Sequence, residues 1–110
     1  MEFNKLLEKT RATFIGADIS GVSGKLAYQF DLTGNGSGTF YAEVKDGVLS
    51  IEPYEYIDRD VKFTLSATDF EKLLKGTLDA ERAYATGKLK IEGDIGKALE
   101  LKKLLGNGAD

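Results

Sequence analysis

Lys25-Leu26-Ala27-Tyr28-Gln29-Phe30-Asp31-Leu32, followed by Gly34-Asn35-Gly36-Ser37-Gly38 and Thr39-Phe40-Tyr41-Ala42-Glu43-Val44-Lys45-Asp46-Gly47, is the stretch that decides the fold. In an extended chain Leu26, Tyr28, Phe30 and Leu32 fall on one side, and Lys25, Gln29 and Asp31 on the other. Phe40, Ala42 and Val44 alternate in the same way with Thr39, Tyr41, Glu43 and Lys45. A period of two means strands with one buried and one wet face, as in an antiparallel or mixed sheet covered on one side. Asn35-Gly36 and Asp46-Gly47 tolerate positive φ at both central positions of a type I′ turn and so signal two hairpins. The glycines from 34 to 38 superficially resemble a phosphate-cradling loop. Such a loop leads into a helix, whereas this one leads into a strand and no P-loop Lys follows, so it reads as a hairpin.

Working outward, Leu49 and Ile51 form a third strand. Val61, Phe63 and Leu65, alternating with Lys62, Thr64 and Ser66, form a fourth, and Lys88-Leu89-Lys90-Ile91-Glu92 a last one. Helices bracket that last strand. Thr68-Asp69-Phe70-Glu71 has capping-box spacing, Phe70, Leu73 and Leu74 make an apolar stripe, and Gly76 ends it. Asp79 is placed to cap a second helix running to about Thr86, with Gly87 as its stop. Asp94 is placed to cap a third, from Ile95 to about Leu105. A short amphipathic helix from Phe3 to Lys9, carrying Leu6 and Leu7, precedes the sheet. The expected order is helix, four strands, two helices, strand, helix: an α+β chain with its helices on one face of the sheet.

The 110 residues fit one domain, expected to span 1–110. With 42% hydrophobic and 30% charged residues the chain has enough apolar material for a core, which argues against disorder. The absence of Cys and His removes disulfides, thiolate nucleophiles, and the commonest general base and transition-metal ligand. A net charge of −3 gives no electrostatic basis for nucleic-acid binding. No apolar run approaches bilayer-spanning length, and neither end carries a secretory or peroxisomal signal, so the expected location is cytoplasmic.

The last helix is unusually apolar. At 100° per residue, Leu104, Leu101, Leu105, Ala98, Ile95 and Leu99 cover roughly 220° of arc, whereas a helix on a sheet needs a stripe little wider than about 100°. The surplus faces another helix, a partner or an apolar cavity, and periodicity alone does not choose among them. Lys102 lies inside this arc. Its stem can lie along apolar surface with the charge reaching water, or its ammonium can hold the head group of an acidic lipid. Glu52, Glu55, Asp58 and Asp60 cluster around Tyr54 and Tyr56 without EF-hand spacing and read as a solvated loop rather than a cation or acid–base site.

One resemblance covers residue 60 to about 105. Asp60-Val61-Lys62-Phe63-Thr64-Leu65-Ser66 is followed by Asp69-Phe70-Glu71-Lys72-Leu73-Leu74-Lys75-Gly76. Then come Ala83-Tyr84-Ala85-Thr86-Gly87-Lys88-Leu89-Lys90-Ile91-Glu92 and Gly93-Asp94-Ile95-Gly96-Lys97-Ala98. This ordered set is similar to the sterol carrier protein (type 2) domain. The resemblance implies a five-stranded, mostly antiparallel sheet, helices over one face, and an apolar tunnel between them. It also implies a lipid-like ligand: a fatty acid, fatty acyl-CoA, sterol or similar molecule. The wall residues it implies are Phe63, Leu65, Phe70, Leu74, Tyr84, Ile91, Ile95, Ala98, Leu99 and Lys102. Two departures stand out. Family members often have a Gln near Lys102, and an apolar residue near Lys97.

The expected function is therefore non-enzymatic binding and transfer of a hydrophobic small molecule, without metal, cofactor or nucleic acid. Transient membrane contact through Phe3, Leu6 and Leu7 with Lys5, Lys9 and Arg11 is one extension, against which simple packing of that helix stands. The alternative function is an accessory module presenting a hydrophobic substrate, for example a quinone-like lipid, to a partner enzyme.

Overall fold

The computed structural model describes residues 2–15 and 24–101. Its elements run α1 (Phe3–Phe14), β1 (Lys25–Thr33), β2 (Gly38–Lys45), β3 (Val48–Glu52), β4 (Val61–Ser66), α2 (Ala67–Lys75), α3 (Ala80–Ala85), β5 (Lys90–Gly93) and α4 (Ile95–Leu99). This is the order expected from the sequence. The strands form one five-stranded sheet, β3-β2-β1-β4-β5. Both hairpins fall where the turn dipeptides put them: β1 pairs antiparallel with β2, and β2 with β3. At the second hairpin Asp46 and Gly47 take φ of 52° and 79°, the two positive values that a type I′ turn requires. β4 pairs antiparallel with β5 but parallel with β1, in the register Phe30↔Phe63 and Leu32↔Leu65, so the sheet is mixed.

The inward faces of β1, β2 and β4 meet the helices in one core. Tyr28, Phe30, Phe40, Val61, Leu6, Phe14 and Phe70 are essentially inaccessible to solvent. At its centre the Phe30 ring stacks between Phe40 (4.9 Å between centroids) and Phe63 (5.2 Å), with Phe70 tilted against Phe30 and Phe40. Offset and tilted aromatic contacts of this kind add specificity beyond area burial.

Three details differ from expectation. α1 runs to Phe14 rather than Lys9, and Leu6, Leu7, Thr10 and Phe14 form its buried side. Its apolar residues therefore serve the core. The cap of α2 is Ser66, whose hydroxyl accepts the Asp69 N–H at 3.0 Å, rather than Thr68, which lies inside the helix. The strand and helix abut without a loop, which moves the cap two residues earlier. α4 is described over Ile95–Leu99, where the Glu100 N–H reaches back three residues to the Lys97 carbonyl, and its expected end near Leu105 lies outside the described residues. Finally, residues 53–60 are more than a solvated loop. Tyr54, Glu55, Ile57, Asp58 and Arg59 are exposed, but Tyr56 and Asp60 are partly buried, and Tyr56 folds onto the outer sheet face.

That loop explains why Ala27 and Gln29, on the nominally wet side of β1, are buried. The Gln29 carbonyl oxygen accepts the Tyr56 N–H and its amide donates to Asp31, which satisfies a polar group that burial would otherwise penalise. The Tyr56 ring packs edge-on against Tyr41, and its hydroxyl donates to Glu43.

Candidate functional site

An apolar cavity of about 330 Å³ lies between the sheet and the helices at the β4–β5 side. Sheet residues Phe30, Phe63, Leu65 and Ile91, together with Leu89, face it. Leu73 comes from α2, Ala80, Glu81 and Tyr84 from α3, and Ile95, Ala98 and Leu99 from α4, with Leu101 just beyond. The deep wall is fully buried: Phe30, Phe63, Leu65 and Leu89 are at most 5% exposed. The rim is exposed, with Tyr84, Ile95 and Leu99 at 52%, 49% and 59%. An enclosed apolar floor with an open apolar mouth is the usual form of a small-molecule site, and the volume is near the low end of such sites.

Of the wall residues implied by the sequence, Phe63, Leu65, Tyr84, Ile91, Ile95, Ala98 and Leu99 come together around this cavity. Phe70 does not line it: its ring is wedged between Phe30 and Phe40 in the core. Leu74 is half-buried against the core, and its neighbour Leu73 takes the lining position. The apolar stripe of α2 is correct, but the rotation of the helix selects a different member. Lys102 lies outside the described residues. Phe30, Leu73, Ala80, Glu81, Leu89 and Leu101 were missed. Leu89 carried a signal, since it shares a face of the expected last strand with Ile91, whereas Phe30 meets Phe63 only through the β1–β4 pairing, which nothing local indicates. Ala80 and Glu81 carried none.

Apolar surface dominates the lining, and among the described residues Glu81 is the only carboxylate on it. No group of three or more His, Cys, Asp and Glu residues capable of holding a metal occurs among the described residues. No helix among them is long and apolar enough to cross a membrane.

The wall formed by α4 is attached through polar contacts centred on Asp60. One Asp60 carboxylate oxygen accepts the Ala27 N–H at 2.8 Å, and the other accepts Lys97 Nζ at 3.0 Å. The Asp60 carbonyl accepts the Asp94 N–H at 3.0 Å, and the Tyr28 hydroxyl donates to the Lys97 carbonyl at 2.6 Å. Burial pushes the Asp60 carboxyl up, but the Ala27 N–H and the Lys97 ammonium outweigh it, so its pKa lies below the usual carboxylate value. The hydrogen bond to Asp60 raises Lys97 in turn. Burial, then the negative charges of Glu100 and Asp60, push the Tyr28 phenol well above its ordinary value, so it remains a donor.

The sequence model of the SCP-2 sterol transfer family matches residues 3–106. Hydroxysteroid dehydrogenase-like protein 2 of Xenopus tropicalis is 39% identical over 80 residues, which cover 72% of this chain but only 19% of that protein. Among solved structures, palmitated SCP2L2 from Aedes aegypti matches with a TM-score of 0.69 at 20% identity, covering 97% of this chain and 96% of that one. The sec-alkylsulfatase Pisa1 from Pseudomonas sp. matches with a TM-score of 0.66 at 17% identity, covering 94% of this chain and 14% of the enzyme.

Proposed function

Because this chain belongs to the SCP-2 sterol transfer family, we propose that it binds one lipid-like molecule, such as a fatty acid, fatty acyl-CoA or sterol, in the apolar cavity and transfers it without chemical change. The observation that carries this reading is the cavity itself, about 330 Å³ with a buried aromatic and aliphatic floor. A well-packed core leaves no void of that size unfilled. Removing an acyl chain from water gains about 0.8 kcal/mol per methylene, or on the order of 12 kcal/mol for sixteen carbons. A bilayer offers nearly the same gain. A carrier therefore needs only a comparable apolar wall, and a plain lining suits loading and unloading better than a dense set of hydrogen bonds. The palmitated Aedes aegypti protein, which has the same fold, adds support for an acyl chain.

Native mass spectrometry of the purified protein, before and after incubation with palmitate, tests this. One equivalent of bound lipid is expected, and Ala98→Trp, which fills the cavity from α4, should abolish it. An empty wild-type protein that takes up neither palmitate nor a sterol overturns the reading.

A second reading has its own support. Similar domains make up small fractions of a dehydrogenase-like protein and a sulfatase. We therefore keep the presentation of a hydrophobic substrate, quinone-like lipids included, to an enzyme as the alternative. Lipid uptake with no transfer between vesicles would favour it.

A further inference from the structure

We infer that Lys97 is a positioning residue: paired with Asp60, and with its carbonyl held by Tyr28, it latches α4 over the cavity and sets how fast ligand enters and leaves. This rests on reading the cavity as the ligand site. Over Ile95–Leu99, α4 buries Ala98, with Leu101 buried just beyond it, while Ile95 and Leu99 stand half-exposed at the rim.

Beside that apolar contact, a polar cluster at its first turn ties the helix to the sheet. Lys97 Nζ reaches Asp60 at 3.0 Å, the Lys97 carbonyl accepts from Tyr28, and the Asp94 N–H bonds the Asp60 carbonyl. Asp60 is itself fixed, through the Ala27 N–H, to the central strand. Lys97 does not line the cavity, whereas its neighbours Ile95, Ala98 and Leu99 do. It acts through them, on the position of the wall. The pair is partly exposed, with side chains 40% and 18% accessible, so it can break and re-form without unfolding the chain.

Stopped-flow fluorescence with cis-parinaric acid tests the latch on wild type, Lys97→Met and Lys97→Arg. Lys97→Met should speed both association and dissociation, roughly three- to tenfold, as expected for loss of a partly exposed ion pair. The affinity should change less than about twofold, because both rates cross the same opening step. Lys97→Arg, which keeps the charge, should return the rates toward wild type. In the ligand-free protein, hydrogen exchange should accelerate at the amides of Ala98 and Glu100 in Lys97→Met, with the amides of β1 and β2 unchanged. The latch is overturned if wild type takes up the probe and Lys97→Met exchanges it at the wild-type rate. It is equally overturned if that variant loses affinity through dissociation alone. A wild-type protein that takes up no probe removes the ligand-site reading instead, and the exchange role with it.

Discussion

Tyr56 draws its environment from two strands at once, β1 and β2. Its ring lies edge-on to Tyr41, with centroids 5.0 Å apart, and the Lys25 ammonium sits 5.0 Å from its centroid. Its hydroxyl donates to Glu43, and that bond, with burial second, pushes its pKa up to about 12. The neutral phenol is thus favoured by folding. The resulting stability is complete below the unfolded pKa near 10 and is lost as pH rises from 10 toward about 12. Tyr56→Phe should therefore make the decline of stability across that window shallower, as measured by urea melts at several pH values. A decline as steep as that of wild type would show that Tyr56 does not couple to folding. None of this was legible locally. The sequence placed Tyr56 among carboxylates in a solvated loop, because nothing between 53 and 60 indicates that the loop folds back over Gln29, 27 positions away.

Among the elements, β5 and α4 meet at a tight junction. Gly93 takes a φ of 113°, and a Cβ there would run into the Asp60 carbonyl and lie 3.2 Å from the Val61 Cα. Only glycine fits both the backbone angle and the close approach. Gly93→Ala should cost about 2–3 kcal/mol in a chemical melt, and an unchanged midpoint would mean the junction relaxes freely. Legibility differed sharply between element types here. Asp79 and Asp94 cap α3 and α4 as their spacing indicated, each accepting an N–H three residues on. Capping is a contact within one turn, so the sequence displays it. The cap of α2 was less legible, since the spacing pointed to Thr68 whereas Ser66 takes the position because β4 runs straight into the helix.

For the molecule as a whole, a ligand filling the cavity would cover its buried apolar floor, so occupancy should be coupled to stability. A ligand at a hundred times its dissociation constant adds about 2.7 kcal/mol to unfolding. Palmitate should accordingly raise the thermal midpoint in a concentration-dependent way, and Ala98→Trp should remove that dependence. A midpoint indifferent to lipid in wild type would mean that the cavity stays empty. By itself the sequence determined the order of the elements, the faces of the strands, the positions of both hairpins and the apolar material for the cavity. Each follows from rotations of 100° or 180° per residue and from the dihedral demands of a few turn residues, all of which act within several positions. Only the tertiary structure decided that β4 joins β1 in parallel, that Leu73 rather than Phe70 or Leu74 faces the void, and that Lys97 finds Asp60 across 37 positions. Periodicity marks a face as apolar but carries no information about what lies opposite. That is settled only when the helices take up their rotations against the sheet and long-range partners meet.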